Sequence, residues 1–253
     1  MNFQNQVAIV TGAASGMGLL FARCWAAEGG NVVMCDVSEA LAEKAAQINA
    51  LEGGRAEPCF CDVRDYRQVC AAKDRAVEAF GRIDVVANFA GGTAVRVQKV
   101  SRKDHPEFPD VPIEVYDWGI DVNLKGPFYF AHAALGQMRE QKSGLILNIG
   151  SITGAEGDGY GVDYPVSKAG LMYGLTKSIA QFGEPYGIRC VCISPGPVLT
   201  RANMANMKTL LGRAAEPQEI VDLCLFVASD KGRFINGENI MIDGGRNALR
   251  RRS

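Results

Sequence analysis

The sequence predicts an α/β protein built on one doubly wound parallel sheet with helices on both faces. Three observations carry that prediction. Short apolar runs of strand length recur from VAIVT (7–11) to NIMIDGG (239–245). Segments of helical period separate them, as right-handed crossovers between parallel strands require. Polar side chains, Asp36, Asp62, Asn88 and Ser151, fall at the carboxyl ends of predicted strands, where ligands sit in such sheets.

The 253 residues suffice to bury a large core without disulfide or metal staples, and they read as a single domain, 1–253. Basic residues number 27 against 28 acidic, a net charge of -1 that gives no electrostatic case for nucleic acid or an acidic membrane. No apolar run approaches the ~18 residues of a membrane span. Eight cysteines and no signal-peptide pattern point to a reducing, cytoplasmic setting. Cys59/Cys61 and Cys190/Cys192 each stand two apart in strand-like runs, one face per pair. No histidines follow at zinc-ligand spacing, so they read as small buried hydrophobes and no metal is expected. Arg246, Arg250, Arg251 and Arg252 read as a frayed basic end.

Taken in order, strand VAIVT (7–11) feeds a turn, TGAASGMG, that opens a helix and leads to strand NVVMCD (31–36). Glycines at 12, 16 and 18 let the backbone approach a pyrophosphate, and the unpaired N–H groups of a helix start point towards it. Asp36 ends the second strand, where a carboxylate accepts hydrogen bonds from adenosine ribose hydroxyls and repels a 2′-phosphate. Neither Val37, Ser38 nor Ser15 supplies a cation for that phosphate, so NAD is expected rather than NADP. A helix over about 40–51, a Gly-Gly turn, strand EPCFC (57–61) and a helix through VCAAKDRAVEAFG follow, then strand IDVVAN (83–88). The alternation breaks over 92–113, a basic and proline-containing stretch read as an insertion loop. A helix resumes by Tyr116 and contains Asn123. Strands LILNIG (145–150) and GIRCVCISPG (187–196), a short polar-apolar lid (201–215), the helix EPQEIVDLCLFVAS (216–229) and the last strand complete a Rossmann-type fold.

The chemistry concentrates in SITGAEGDGYGVDYPVSK (151–168). Tyr164 and Lys168 are four apart, hence on one face of the predicted helix. A free tyrosine has a pKa near ~10. An adjacent ammonium favours the phenolate, and a shift of roughly three units needs about 4 kcal/mol, a plausible sum for a lysine and a cationic cofactor together. Ser151 is then placed to hold a substrate oxygen while Tyr164 exchanges its proton.

The ordered set TGAASGMG (11–18), Asp62-Val63, NFAG (88–91), Asn123, Ser151, YPVSK (164–168) and PGPVLT (195–200) resembles the short-chain dehydrogenase/reductase family over nearly the whole chain. The resemblance implies an NAD-dependent oxidoreductase interconverting a secondary alcohol and a ketone. Tyr164 would be its acid or base, Lys168 the group acting on the tyrosine and the nicotinamide ribose, and Ser151 the orienter of the substrate oxygen. Asn123 would kink its helix and hold a proton-relaying water. It further implies cofactor contacts from Gly12, Ser15, Gly16, Met17 and Gly18 in the turn and from Asp36. Asp62 and Val63 would contact adenine, Asn88 and Gly91 would line the cleft, and Pro195, Gly196, Val198 and Thr200 would border the nicotinamide. A homotetramer (or homodimer) is implied as well, with Phe128, Phe130, Leu171 and Tyr173 assignable to either interface or core. Phe89, Gly150 and Val191 depart from the usual pattern, the insertion is longer and the lid shorter. Arg96, Lys99, Arg102, Lys103 and His105 could meet an anionic substrate group or be a solvated charge run. Sugars, polyols, hydroxy acids and hydroxysteroids are the substrates considered; 3-oxoacyl-[acyl-carrier-protein] reduction and a silent NAD-binding sensor are the alternatives.

Overall fold

The computed structural model describes residues 1–93, 108–159 and 161–249. Its strands are β1 (Val7–Thr11), β2 (Asn31–Asp36), β3 (Ala56–Phe60), β4 (Val85–Asn88), β5 (Gly144–Ile149), β6 (Ile188–Pro195) and β7 (Asn239–Ile242). They form one seven-stranded sheet in the order β3-β2-β1-β4-β5-β6-β7, every pair parallel, so the predicted doubly wound sheet is the observed one. The order reverses between β1 and β4, which opens a crevice beyond their carboxyl ends.

The helices are α1 (Gly16–Ala27), α2 (Leu41–Asn49), α3 (Tyr66–Phe80), α4 (Ile113–Ile120), α5 (Gly126–Gln141), α6 (Thr153–Glu156), α7 (Asp163–Ala169), α8 (Thr176–Gly183) and α9 (Pro217–Ala228). Side chains alternate across each strand. Ala8 and Val10 therefore join a core with Phe21 and Trp25 of α1, Ile48 of α2 and Ile220 of α9. Val7 and Ile9 join a second core with Val69 of α3, Phe130 and Met138 of α5 and Ile179 of α8. Caps set the helix ends: the Asp65 carboxylate accepts from Arg67 N, and Glu216 with Glu219 makes a reciprocal capping box ahead of Pro217.

The structure moves several predicted boundaries. β3 starts and ends one residue earlier than expected, which puts Cys61 beyond it with its N–H donated to Asp36 O at 3.0 Å. The helix expected by Tyr116 starts at Ile113, after Pro112, and so takes in the last residue of the predicted 92–113 insertion. Both long helices predicted around Asn123 and after Tyr164 are interrupted by π turns, Asp121–Lys125 and Gly170–Leu175. The second is tied by the Thr176 hydroxyl, which donates to Leu171 O at 2.7 Å. Short apolar periodicity does not reveal such a turn, because the extra residue changes the ladder and not the pattern.

Other expectations are corrected by packing. Arg246 is not part of a frayed end: its guanidinium Nε lies 3.0 Å from Glu156 Oε1, and Nη1 donates to Lys208 O at 3.3 Å. Cys59 is only half-buried, whereas Cys61, Cys190 and Cys192 are buried as expected; all eight cysteines are free thiols. Phe130 and Leu171 belong to the interior, while Phe128 and Tyr173 are 46% and 47% exposed. Arg96, Lys99, Arg102, Lys103 and His105 of the predicted insertion, and Arg250 to Arg252, lie outside the described residues.

Gly150 departs from the pattern for a steric reason. A Cβ there would meet Ser194 Oγ at less than contact distance, Met172 Cγ at 2.7 Å and Cys192 Sγ at 2.9 Å. Gly150→Ser should therefore destabilise the fold by about 1–3 kcal/mol, the usual cost of overpacking a filled interior. Chemical denaturation checks it, and an unchanged midpoint would show that Met172 yields freely.

Candidate active site

The glycine turn begins where β1 ends. Gly12 has φ 65, and a Cβ on it would stand 2.9 Å from Ala90 N. Gly16 has φ 56, also a conformation that side chains disfavour. Gly18 lies so close to the carbonyl of Gly12 that no side chain fits between helix and turn. Ser15 precedes α1 in an extended conformation without a side-chain cap, so the first-turn N–H groups of Gly16, Met17 and Gly18 face the turn rather than an internal partner. Thr11, which sequence reasoning passed over, closes the opposite wall: its hydroxyl accepts Ala90 N at 2.9 Å and ties the ends of β1 and β4 together.

At the next strand end the Asp36 carboxylate accepts from Ala14 N and from Ser38 N, each at 3.0 Å, so one acid pins the turn after β1 and the chain after β2. Asp62 is differently engaged. Its carboxylate is gripped by Arg64, with Nη2 at 2.6 Å and Nε at 3.0 Å, and this ion pair holds its pKa below the ordinary value. Only its backbone and Val63, which packs into the second core, are then placed to border a ring. These features fit a dinucleotide: a cradle that a Cβ would fill, an acid at the ribose position, and a buried acceptor in the cleft. That acceptor is Asn88 Oδ1, at the end of β4, which has no hydrogen-bond partner among the described residues.

The groups expected to handle the proton lie beyond β4 and β5. Asn123, within the first π turn and fully buried, accepts Gly92 N through Oδ1 at 3.0 Å and donates through Nδ2 to Gly92 O and Gly119 O, both at 2.9 Å. A Cβ on Gly91 would stand 2.7 Å from Asn123 Oδ1 and 3.5 Å from Lys168 Nζ, so these three positions converge on one point. Lys168 is 4% exposed and donates to Ile149 O at 2.6 Å. Among the described residues no carboxylate pairs with it. Burial consequently pulls its pKa down to about 8, opposed weakly by Cys192. Its Nζ lies 5.5 Å from the centre of the Tyr164 ring, one turn back on the same helix. Ser151, 8% exposed, follows β5, and its hydroxyl accepts Thr153 N at 3.2 Å.

The far wall comes from β6. Gly196 N donates to Ile242 O at 2.9 Å, and Gly196 packs so tightly on Asp243 that a Cβ would lie 2.6 Å from its Cα. Val198 bridges to Ala215, which closes the base of the short lid, and Thr200 turns back onto Val198 O through its N–H at 2.7 Å. Beneath the site runs a buried relay that sequence reasoning missed. Asn88 Nδ2 donates to Asn148 Oδ1 at 2.9 Å, and Asn148 Nδ2 donates to Thr176 Oγ1 at 3.2 Å. Its signal was present in the polar Asn148 inside the apolar run LILNIG.

Comparison with known proteins places this geometry. A family model described as Enoyl-(Acyl carrier protein) reductase matches residues 12–247. The chain is 39% identical to trans-4-hydroxycyclohexanecarboxylate dehydrogenase of Sinomonas cyclohexanicum, over 96% of this chain and 93% of that one. It is 33% identical to the 7alpha-hydroxysteroid dehydrogenase of Bacteroides fragilis, over 96% and 95%. A crystal structure of a 3-oxoacyl-[acyl-carrier protein] reductase with bound NAD from Brucella melitensis superposes with TM-score 0.85 at 28% identity, over 96% and 91% of the two chains. With a parallel sheet, a glycine cradle, Ser151 after a strand end, Asn123 in a π turn and Tyr164 with Lys168 on one helix, the chain belongs to the short-chain dehydrogenase/reductase family of oxidoreductases.

Proposed function

We propose that the protein interconverts a secondary alcohol and a ketone with NAD, the substrate being an alicyclic carbinol of the kind that the steroid and cyclohexane relatives are named for. The observation that carries this reading is the convergence of Asn123, Gly91 and the buried Lys168 beside the Tyr164 ring. NAD would supply the hydride acceptor or donor. Tyr164 exchanges the proton at its phenol oxygen with the substrate oxygen. Lys168, an ammonium seated on the Ile149 carbonyl beside the Tyr164 ring with no carboxylate partner among the described residues, favours negative charge on that phenol. Ser151 donates its hydroxyl to the substrate oxygen as charge develops there. Asn123 fixes the Gly92 backbone and holds a water through which Lys168 exchanges protons.

Asp36 supports NAD over NADP, since two backbone N–H groups hold its carboxylate in position at the end of β2. Arg64 is spent on Asp62 and offers no free cation to a 2′-phosphate. We also propose the assembly to be a homotetramer (or homodimer), met through the exposed Phe128 and Tyr173, and the compartment to be the cytoplasm, which the free thiols suit. No helix among the described residues is long and apolar enough to cross a membrane.

Three measurements follow. In a panel of cyclic alcohols monitored by NADH absorbance, the wild type should turn over at least one member, and Tyr164→Phe should lose about 10²–10⁴-fold in kcat with unaltered NADH affinity. Retained activity in that variant would refute the proton-transfer role. At equal concentration NADH should exceed NADPH about tenfold in kcat/KM, with Asp36→Ala erasing the difference; an NADPH preference would favour 3-oxoacyl-[acyl-carrier-protein] reduction instead.

The third concerns stability. Lys168 has a folded pKa of about 8 against 10.5 when free, so its burial penalty is complete below pH 8 and vanishes as pH rises to 10.5. Lys168→Met should abolish turnover yet gain stability relative to wild type at neutral pH. That relative gain should shrink by about 3 kcal/mol as the solution is taken through this window. Denaturant curves showing a pH-independent difference would count against the uncompensated ammonium.

A further inference from the structure

We propose that Cys59, Cys35 and Cys61 form a peroxide-reactive thiol site at the edge of the sheet, in which Cys59 is oxidised and Cys35 closes a disulfide with it. Cys35 of β2 and Cys59 of β3 stand directly opposite in the parallel register. Neighbouring strands lie about 4.8 Å apart, inside the Cα separation of about 4.4–6.8 Å that a disulfide accepts. Both side chains face the same core, under α3, and Cys61, two residues further on, turns to that face as well. Cys35 and Cys61 are buried, whereas Cys59 is half-buried on the outermost strand, so a small oxidant can reach it first.

The local electrostatics assign the roles. The neighbouring Cys35 thiol, and more weakly the Arg75 guanidinium, favour a thiolate on Cys59, whose pKa is lowered to about 7. Cys35, crowded by both neighbouring sulfurs and buried, is raised well above its ordinary value and keeps its proton. The thiolate is the reactive form. Cys59 thiolate attacks one oxygen of hydrogen peroxide; the O–O bond breaks, a proton is taken up and water leaves, giving a sulfenic acid. The Cys35 sulfur then attacks the Cys59 sulfur, the S–OH bond breaks, and the Cys35 proton leaves with hydroxide as a second water. Cys35 and Cys59 each give up one electron in sum, and that pair reduces the peroxide to two waters.

The consequence lies one residue away. Asp36 follows Cys35, its carbonyl accepts Cys61 N at 3.0 Å, and its carboxylate aligns the turn after β1. Closing the bond turns the Cys35 side chain onto β3 without moving the strands apart or together, and the reoriented backbone at the end of β2 displaces the adjacent carboxylate, so oxidation lowers NADH affinity; this step rests on the cofactor reading above.

The test uses the reduced full-length enzyme treated with hydrogen peroxide. Expected are a loss of about 2 Da, a linked Cys35–Cys59 peptide pair, reversal by dithiothreitol, and an affinity for NADH about tenfold lower by fluorescence titration. Cys59→Ser should abolish the mass change. Cys35→Ser or, should that variant fold poorly, Cys35→Ala should stop at a sulfenic acid trapped by dimedone on Cys59. Oxidation landing on the half-buried Cys24 or Cys70 instead, or proceeding unaltered in Cys59→Ser, overturns the site. A linked pair with unchanged NADH affinity overturns the coupling. Failure of the reduced enzyme to bind NADH at all faults the functional reading and leaves the thiol chemistry to be judged by mass alone.

Discussion

The short hydrogen bond from Lys168 Nζ to the carbonyl of Ile149 is the contact on which the site depends. It holds a nearly fully buried ammonium at the end of β5 with no carboxylate to neutralise it among the described residues. A paired lysine would be cheaper to bury, but a carboxylate would cancel the field that the proposed mechanism needs at the Tyr164 ring. The fold therefore tolerates an uncompensated charge, seated by one backbone oxygen and a well-packed shell of Gly91, Asn123 and Cys192.

Holding that charge in place requires the helix beneath it to be fixed in rotation. The π turn after Lys168 does this, because it is pinned from below by Thr176, then Asn148, then Asn88. A second π turn at Asn123 brings a side-chain amide against Gly92 from the other side. The two distortions pack on each other, a Cβ on Gly170 standing 3.2 Å from Leu124 Cδ2, and each is sustained by side-chain hydrogen bonds rather than by helix propensity. Small residues make the approach possible: Gly91 admits Asn123 and Lys168, and Gly150 admits Met172, Ser194 and Cys192.

The cofactor end is organised by another single acid. Asp36 joins the turn after β1 to the chain after β2 through two N–H donors, which couples the two segments proposed to meet the pyrophosphate and the ribose. Asp62, an acid at the equivalent place one strand further out, is withdrawn by Arg64. Two aspartates at matching strand ends thus do different work because one has a guanidinium two residues away.

The sheet, its strand boundaries to within three residues, the glycine turn and the clustering of Asp36, Asn88 and Ser151 at strand ends were legible in the sequence. Each rests on local information: period-two apolar runs, turn residues, and helix-spaced partners such as Tyr164 and Lys168. The π turns, the Asn88–Asn148–Thr176 relay, the capture of Asp62 by Arg64 and the docking of Arg246 on Glu156 were not. Nor could spacing sort Phe130 and Leu171 into the interior and Phe128 and Tyr173 onto the surface. The sequence by itself determined which residue types arrive at the crevice, since strand order and alternation follow from pattern. Tertiary structure alone decided how those residues are oriented and charged, because burial, register between distant strands and the partner each polar atom finds are set by contacts across the whole sheet.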